Sequence, residues 1–187
     1  YIDVDEPIYP YVWQTATGKP LNRRNGYIAE GLFQSQEEID NSPTQNLGSK
    51  PMPGDIKYRD VDGNGVIDSK DQVMISKTAN MPRIQYGFGV NIDWKRFNFG
   101  VFFNGSAMRD ININGLHPFG QNDYNAMKFV AENRWTEANP NPNAEYPRLG
   151  LNDSQMSNNS QSSTYWIRNG NFLRFKTLEI GYRFDHV

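Results

Sequence analysis

Two neighbouring runs of alternating side chains constrain the fold of this chain more than any other feature. From Tyr86 to Trp94 every second residue is large and apolar, and the residues between them are Gly, Asn or Asp. The same two-residue period resumes from Phe97 to Asn104, after a link of only Lys95 and Arg96. Such a period places alternate side chains on opposite faces of a strand, and a two-residue link joins antiparallel neighbours. The sequence therefore predicts a β-hairpin over residues 83–106.

The composition of the two predicted faces favours a membrane environment. The chain is polar on average, with a mean hydropathy of −0.75 and 37% apolar residues, yet 13% of its residues are aromatic. In the hairpin the rings share one face with the aliphatic residues, and the other face is small and polar except at Phe102. A transmembrane barrel strand turns apolar residues to lipid and small polar residues to the lumen, with rings at the interface. A soluble sheet with one buried face is the alternative interpretation.

A third strand is predicted near the end of the sequence. From Leu178 to Tyr182 apolar residues again stand at every second position. Leu173 and Phe175 are apolar too, but they occupy positions of the opposite parity. A bulge or bend is therefore expected near Lys176-Thr177, and a bulge, which adds one residue to the strand, brings both sets to the same face. We therefore expect one bulged strand within residues 165–187 as a third membrane crossing.

Long polar stretches separate these strands. Residues 1–82 and 107–164 are rich in Gly, Pro, Asn and Ser, which is typical of loops. Loops of this length are uncommon in compact soluble domains, whereas outer-membrane barrels have short periplasmic turns and longer extracellular loops. The link at Lys95-Arg96 is therefore predicted to be periplasmic, and both long stretches extracellular. One short helix is expected after an N-cap at Ser35, and a second from Tyr124 to Trp135.

Segment 60–71 has the pattern of a twelve-residue EF-hand-type calcium loop. Such loops place oxygen ligands at positions 1, 3, 5, 7, 9 and 12, with Gly at position 6 for a sharp turn. Gly65 stands at position 6, and Ile67 is expected to pack inward. The predicted calcium ligands are Asp60, Asp62, Asn64, the backbone carbonyl of Val66, Asp68 and Asp71.

This loop departs from a paired calcium sensor in two ways. Position 12 is Asp71 instead of Glu, which shortens the arm that closes the ligand shell. The sequence also predicts neither a helix entering the loop nor a second loop beside it. A structural clamp is therefore favoured over a calcium switch. The alternative is an Asp-, Asn- and Gly-rich turn that binds no metal.

Composition excludes several functional classes. A net charge of −2 and a pI near 5.7 provide no basic surface for nucleic acid. The absence of cysteine removes disulfides, thiolate metal sites and cysteine nucleophiles. No apolar run reaches the roughly 20 residues of a transmembrane helix, and the first residues lack the pattern of a signal peptide. With two histidines and no convergent set of ionisable residues, the chain is predicted not to be an enzyme.

Several blocks of sequence extend these observations over nearly the whole chain from Gly26. The blocks are Gly26–Ile39, Pro53–Asp68, Tyr86–Asn91, Phe97–Phe103, Arg134–Asn139, Tyr146–Leu149 and Ser163–Tyr182. In their residues and in their order they resemble the SusC/RagA family of TonB-linked (TonB-dependent) outer-membrane transporters of Bacteroidetes. The match is to a C-terminal-side part of the barrel of that family.

The resemblance implies an all-β fold, as a portion of a large, roughly 22-stranded transmembrane antiparallel β-barrel. Its long extracellular loops would contain short helices. The resemblance also implies a plug domain, energy supplied through TonB, and a SusD-like surface lipoprotein that caps the barrel as a lid. The expected cargo is a glycan oligosaccharide or, for some members, a peptide. The plug domain and the remaining strands of the same barrel would lie outside this chain, in the same outer membrane.

Five residues of the polar faces are predicted to line the lumen and contact the solute. They are Asn91, Asp93, Asn98, Glu179 and Arg183. The plainer interpretation is a solvated wall, because barrel lumens are polar in any case. The alternative function for the chain is a secreted calcium-dependent carbohydrate-binding or adhesion module, which shares the metal loop but needs a closed soluble core. Dependence on detergent distinguishes the two functions.

Overall fold

The structure is a computed structural model that describes residues 5–78, 81–114, 126–150 and 153–184. Strands are its main regular elements, and its helices are short. The strands are β1 (Arg24–Gly26), β2 (Ala29–Leu32), β3 (Thr44–Gln45), β4 (Ile56–Tyr58), β5 (Val66–Ile67), β6 (Val73–Ser76), β7 (Ile84–Trp94), β8 (Phe97–Ala107), β9 (Asp110–Asn112), β10 (Ile167–Asn169) and β11 (Phe172–Tyr182). The helices are α1 (Gln36–Asp40), α2 (Lys128–Asn133) and α3 (Asp153–Met156), and 3₁₀ turns cover Val12–Gln14, Ser69–Asp71 and Thr164–Trp166. Among the helices of the described residues, none is long and apolar enough to cross a membrane.

The chain divides into two compact units. The first, which we call the loop unit, joins Tyr1–Lys77 to Asn112–Ile167, so the two long polar stretches of the sequence fold together. The second, the sheet unit, joins Thr78–Ile111 to Arg168–Val187 and contains the three longest strands. The β-rich character predicted from the sequence is confirmed, and within the described residues the sheet does not close into a barrel.

The sheet unit is built on an antiparallel sheet with the strand order β11-β8-β7. β7 and β8 pair along their whole length, with Trp94 opposite Phe97 beside the turn, which confirms the predicted hairpin. The turn has the backbone conformation that a tight hairpin needs, since Lys95 has a φ of +57°. β11 pairs antiparallel with the other edge of β8.

The predicted β-bulge lies in the middle of β11. The register against β8 shifts between Phe175 and Thr177, so Lys176 is the extra residue. In a regular strand Phe175 and Leu178 would point to opposite faces, because they are an odd number of residues apart. The bulge brings them to the same face. The change of parity in the sequence therefore predicted this irregularity correctly.

The strand register sorts the side chains of the sheet into two faces. We call the face with the large side chains the apolar face, and the opposite one the polar face. The apolar face consists of Tyr86, Phe88, Val90, Ile92, Trp94, Phe97, Phe99, Val101, Phe103, Leu173, Phe175, Leu178, Ile180 and Tyr182. Rings on neighbouring strands contact each other there, with centroids 5.3 Å apart for Phe88 and Phe103. The face is nevertheless exposed, at 53% for Phe88 and 72% for Ile180.

Phe102 is the large ring on the polar face of β8, and the glycines of β7 explain it. A Cβ atom at Gly87 would lie 2.9 Å from Cζ of Phe102, and one at Gly89 would lie 3.1 Å from its Cδ2. Both distances are shorter than most real Cβ contacts, so a side chain at either glycine would displace the ring. The one exception in the alternating pattern is therefore accommodated by its neighbours on the adjacent strand.

The loop unit contains six short strands in a region that the sequence predicted to be loops. β1 pairs with β6 and β2 with β4, both antiparallel, whereas β3 and β5 are parallel. Strands of two to four residues are too short for periodicity to reveal them. Side chains from residues 27–67 and 135–166 form one core, made of Tyr27, Leu32, Leu47, Ile56, Tyr58, Ile67, Trp135, Ala144, Met156 and Trp166.

Both predicted helices are present: α1 begins where predicted, and α2 is shorter than predicted. α1 begins at the predicted N-cap, where the side chain of Ser35 accepts a hydrogen bond from the backbone N–H of Glu38 at 3.2 Å. α2 covers only part of the helix predicted from 124 to 135, and Tyr124 lies outside the described residues. Val130 and Trp135 are 0% and 5% exposed, so this segment packs against the rest of the loop unit.

A buried polar network ties two segments of the loop unit together. Asp55 is fully buried, and its carboxylate lies 2.6 Å from Nε of Arg148. The side chain of Asn159 donates a further hydrogen bond to Asp55 at 2.7 Å. Burial raises the pKa of Asp55, although the charge of Arg148 and these hydrogen bonds oppose the rise. The network therefore depends on every partner, since a buried charge without one is strongly unfavourable.

Candidate functional site

The loop at residues 60–71 is anchored to the core of the loop unit. Ile67 is 1% exposed and packs in that core, as predicted. It belongs to β5, which pairs in parallel with β3. Gly65 has a φ of +84°, a conformation that favours glycine, so the sharp turn expected at position 6 is present.

Three of the predicted ligands come together in this loop. Carboxylate oxygens of Asp60, Asp62 and Asp71 all lie within 4.8 Å of one another. Backbone N–H groups orient Asp60, since Gly63 and Gly65 each donate a hydrogen bond to its carboxylate at 2.7 Å. Like charges this close repel one another, and a cation between them removes the repulsion.

Asp71 is the buried carboxylate of this cluster. Its Oδ1 accepts a hydrogen bond from the backbone N–H of Val61 at 2.7 Å, and its Oδ2 accepts one from Asp68 at 2.9 Å. Oδ1 also accepts a longer hydrogen bond from the backbone N–H of Asp62 at 3.3 Å. A carboxylate has about four lone-pair sites, so Oδ2 retains capacity for a cation. The Asp at position 12 thus reaches the other carboxylates despite its short side chain.

The remaining predicted ligands make local contacts. Oδ1 of Asn64 accepts a hydrogen bond from the N–H of Val66 at 2.7 Å. Oδ1 of Asp68 accepts one from the N–H of Lys70 at 2.7 Å and caps the 3₁₀ turn that follows. Asp68 stands apart from the carboxylate cluster found among the described residues. Metal ligation by Asn64, Val66 and Asp68 stays a prediction from the loop pattern.

Two aromatic residues distant in the sequence hold the loop from outside. The hydroxyl of Tyr11 donates a hydrogen bond to Oδ2 of Asp62 at 2.9 Å, and Nε1 of Trp13 donates one to the carbonyl of Lys70 at 2.8 Å. The two rings stack with centroids 4.5 Å apart and planes 7° apart. Nothing in the sequence pattern indicated these contacts, because 51 and 57 residues separate the partners.

These hydrogen bonds influence the charge of the cluster. Partial burial opposes ionisation of Asp62, but hydrogen bonds from Tyr11 and from the backbone of Asn64 outweigh it and lower the pKa of Asp62. The hydrogen bond to Asp62 in turn raises the pKa of Tyr11. Asp62 is therefore ionised at neutral pH and available to a cation.

The chemistry of the donor set fits a hard cation. All donors in the cluster are carboxylate oxygens, which suit calcium or magnesium, whereas softer metals prefer thiolate or imidazole ligands. Calcium takes six to eight oxygen ligands in flexible geometry. Three carboxylates supply part of such a shell, and the predicted ligands beside them or water would supply the rest.

The predicted solute-binding residues lie on the polar face towards the Lys95-Arg96 turn. Asn91 and Glu179 line one concavity of about 400 Å³. A second concavity of about 460 Å³ is lined by Asp93, Asn98 and Arg183. The structure therefore divides the five residues between two neighbouring sites, and their contact with a solute stays a prediction.

Comparison with known proteins finds relatives that are named TonB-dependent receptors. No family model matches the chain. It is 30% identical over 154 residues to TonB-dependent receptor P26 of Formosa agariphila, an alignment covering 81% of this chain and 14% of that protein. It is 25% identical over 165 residues to TonB-dependent receptor P3 of the same organism, covering 88% of this chain and 15% of the relative. With TonB-dependent receptor SusC of Bacteroides thetaiotaomicron the identity is 26% over 166 residues, covering 87% of this chain and 14% of SusC.

The extent of these alignments is as informative as their identity. Each covers most of this chain, yet the chain spans only 14–15% of the length of the relatives it matches. The resemblance carried by the sequence blocks is thereby confirmed. This chain belongs to the SusC-type family of TonB-dependent receptors.

Proposed function

We propose that this chain is part of an outer-membrane transporter that imports glycan oligosaccharides, or peptides, under the drive of TonB. In this role residues 83–106 and 165–187 cross the membrane as strands of a larger barrel. Residues 1–82 and 107–164 form extracellular loops. Membership of a family of TonB-dependent receptors supports the transport role.

The observation that carries this proposal is the asymmetry of the sheet. One face presents a continuous set of exposed aromatic and aliphatic side chains, and the other is built mainly from Gly, Asn and charged residues. A soluble protein rarely exposes an apolar patch of this kind. An arrangement with lipid against the apolar face and water against the polar face accounts for the composition of both faces.

Strand length supports the same role. β7, β8 and β11 each have 11 residues. At about 3.3 Å per residue such a strand is about 36 Å long. A tilt of about 45° reduces its height to about 25 Å, which is the height of the apolar band in outer-membrane barrels.

The partners follow from the family. A SusD-like surface lipoprotein would cover the extracellular loops, and TonB would act on a plug domain outside this chain. The sheet has open edges at β7 and β11, and unpaired strand edges are not tolerated in lipid. The remaining strands of the same barrel would therefore pair with these edges.

For segment 60–71 we propose a calcium site that stabilises an extracellular loop. Asp60, Asp62 and Asp71 would hold the ion, and the three carboxylate groups support this because they already converge. The anchored position of the loop in the core supports a structural role over a switch.

Labelling of single cysteines tests the membrane topology. The chain holds no cysteine, so Ser69→Cys and Arg96→Cys each introduce one reporter in the full-length protein on a cysteine-free background. A bulky maleimide that cannot cross the outer membrane should label Ser69→Cys in intact cells. It should label Arg96→Cys only after the outer membrane is permeabilised.

The opposite labelling pattern would contradict the proposed orientation. Recovery of the unlabelled protein in the soluble fraction without detergent would contradict the membrane role itself. That second outcome would favour the secreted carbohydrate-binding or adhesion module.

A further inference from the structure

A concavity of about 650 Å³ lies on the sheet unit, at the end of the strands away from the Lys95-Arg96 turn. It shares Phe102 with the concavity that Asn91 and Glu179 line, but none of the five predicted solute-binding residues lines it. Its lining includes two cations together with neutral polar side chains and aromatic rings, among them Arg109, Lys176, Asn104, Ser106, Phe102 and Phe172. This combination is suited to a ligand with both charge and apolar surface.

Arg109 and Lys176 bring positive charge to this concavity without a compensating carboxylate. Among the described residues, no Asp or Glu lines it and neither cation takes part in a salt bridge. Lys176 is present there because it is the inserted residue of the β11 bulge. The carboxylates of the polar face, Asp93 and Glu179, line the other concavities.

Polar atoms in the same place lack partners. Ser106 is 4% exposed, and its Oγ has no hydrogen-bond partner in the described structure. Oδ1 of Asn104 and Nε of Arg109 are likewise buried without a partner there. Native proteins rarely leave buried polar atoms unsatisfied. A group that accepts hydrogen bonds from Ser106 and Arg109 would remove most of this deficit.

Two rings supply the apolar part of the lining. The ring of Phe102 lies over Gly87 and remains 39% exposed, and Phe172 is 37% exposed. The guanidinium of Arg174 lies over the ring of Phe172, 5.5 Å from its centroid, which adds positive charge near the concavity. Flat apolar surfaces beside cations fit a ring-shaped solute that carries an anionic group.

We propose that this concavity binds carboxylate or sulfate groups on the sugar rings of an acidic oligosaccharide. Arg109 and Lys176 pair with the anion, and the hydroxyl of Ser106 donates a hydrogen bond to it. Guanidinium groups match the geometry of carboxylate and sulfate oxygens, and such charge-assisted bonds are stronger than neutral ones. The assignment rests on the proposed transport function, and it narrows the cargo to acidic glycans.

Calorimetric titration of the full-length protein in detergent tests this site. The probes are an oligogalacturonate, a sulfated galactan fragment and the uncharged galacto-oligosaccharide of the same length. We expect at least one acidic probe to bind about tenfold or more tightly than the neutral one. Arg109→Gln combined with Lys176→Gln should remove this preference by lowering the affinity for the acidic probe.

Lys50→Gln combined with Lys128→Gln provides the matched control, because it also removes two positive charges, from exposed positions of the loop unit that line none of these concavities. It should leave the preference for acidic probes intact. Heat-modifiable electrophoretic mobility reports whether each variant has a folded barrel. The wild-type protein supplies an independent measurement, since added salt should weaken binding of the acidic probe and not of the neutral one.

Equal affinity for acidic and neutral probes, or no binding of either acidic probe, overturns this assignment. So does a double variant that folds and keeps the preference. None of these outcomes affects the labelling experiment, which reports membrane topology without any ligand. Failure of the anion site and failure of the transport function are therefore distinguishable.

Discussion

The loop unit and the sheet unit place their large apolar side chains in opposite environments. In the loop unit Ile56 and Trp166 are completely buried, and the polar residues beside them form a hydrogen-bonded network. In the sheet unit Phe88 and Ile92 are both 53% exposed, although the sheet around them is regular. Apolar content therefore does not by itself show where the core lies. Under the proposed function, the loop unit folds against water and the sheet unit turns its apolar face to lipid.

The largest loss of stability is expected when a buried charge is removed from the loop unit. Asp55→Ala leaves Arg148 without its partner, and breaking a buried pair in this way costs about 3–5 kcal/mol. We expect the loop unit to lose its resistance to proteolysis at much lower urea concentration. The control is Glu30→Ala, whose partner Arg59 has a side chain 54% exposed, so the change should stay below about 1 kcal/mol.

A charge on the apolar face tests the other half of the comparison. Val90→Arg should reduce the yield of folded barrel in the outer membrane, because an Arg at the bilayer midplane costs about 2–4 kcal/mol. Asn91→Arg, one residue along on the polar face, should be tolerated. Both positions are exposed in the structure, so a sheet with water on both faces predicts no difference. Equal yields of the two variants would therefore contradict the lipid-facing assignment.

Calcium should stabilise the loop unit and not the sheet unit. At a free calcium concentration about one hundred times the dissociation constant, a bound ion stabilises the folded state by about 2.7 kcal/mol. We expect calcium to slow proteolysis of the loop unit, and a chelator to reverse the effect. Asp60→Asn should abolish the response, whereas Asp40→Asn, outside the metal loop, should preserve it. Protection that persists in Asp60→Asn would exclude the proposed ligand.

The smallest expected effect concerns the contact between Tyr11 and Asp62. Tyr11→Phe removes the hydrogen bond that helps to lower the pKa of Asp62. Hydrogen exchange around residues 11–14 should then become severalfold faster at neutral pH. A carboxylate whose pKa is lowered in the folded state stabilises that state at pH values above its pKa in the unfolded chain, which is about 3.9 for Asp. This stabilisation is lost as the pH falls through the pKa of the folded state. The difference in exchange rate between Tyr11→Phe and the wild type should therefore become smaller in acid. The control variant Tyr9→Phe should exchange at the wild-type rate.

The sheet unit was largely predictable from the sequence, and the loop unit was not. A two-residue period sustained over a whole strand fixed the hairpin, and the change of parity after Phe175 located the bulge. Local chemistry also sufficed for the N-cap at Ser35. The strands of the loop unit are too short to show a period, and their pairing depends on contacts between distant parts of the chain.

The candidate metal site shows the same limit. The pattern of segment 60–71 identified three acidic residues that converge, because ligand spacing within one turn is a local property. It did not indicate that Asp68 caps the following 3₁₀ turn, nor that Tyr11 and Trp13 contact the loop. These contacts depend on tertiary packing. The concavity lined by Arg109 and Lys176 was not predicted from the sequence for the same reason, since β8 and β11 contribute to it from distant segments.

Lys176 is the one residue of β11 that the alternation of the strand does not require. If it were deleted, Phe175 and Thr177 would become neighbours in a regular strand, and Leu178 would still face the same way. A one-residue deletion elsewhere in the middle of the strand would reverse every side chain beyond it. The bulge is therefore a position where the gain or loss of a single codon changes the charge of the polar face and leaves the apolar face intact. In the proposed transporter, such a change would alter the charge beside the solute and preserve the contacts with lipid.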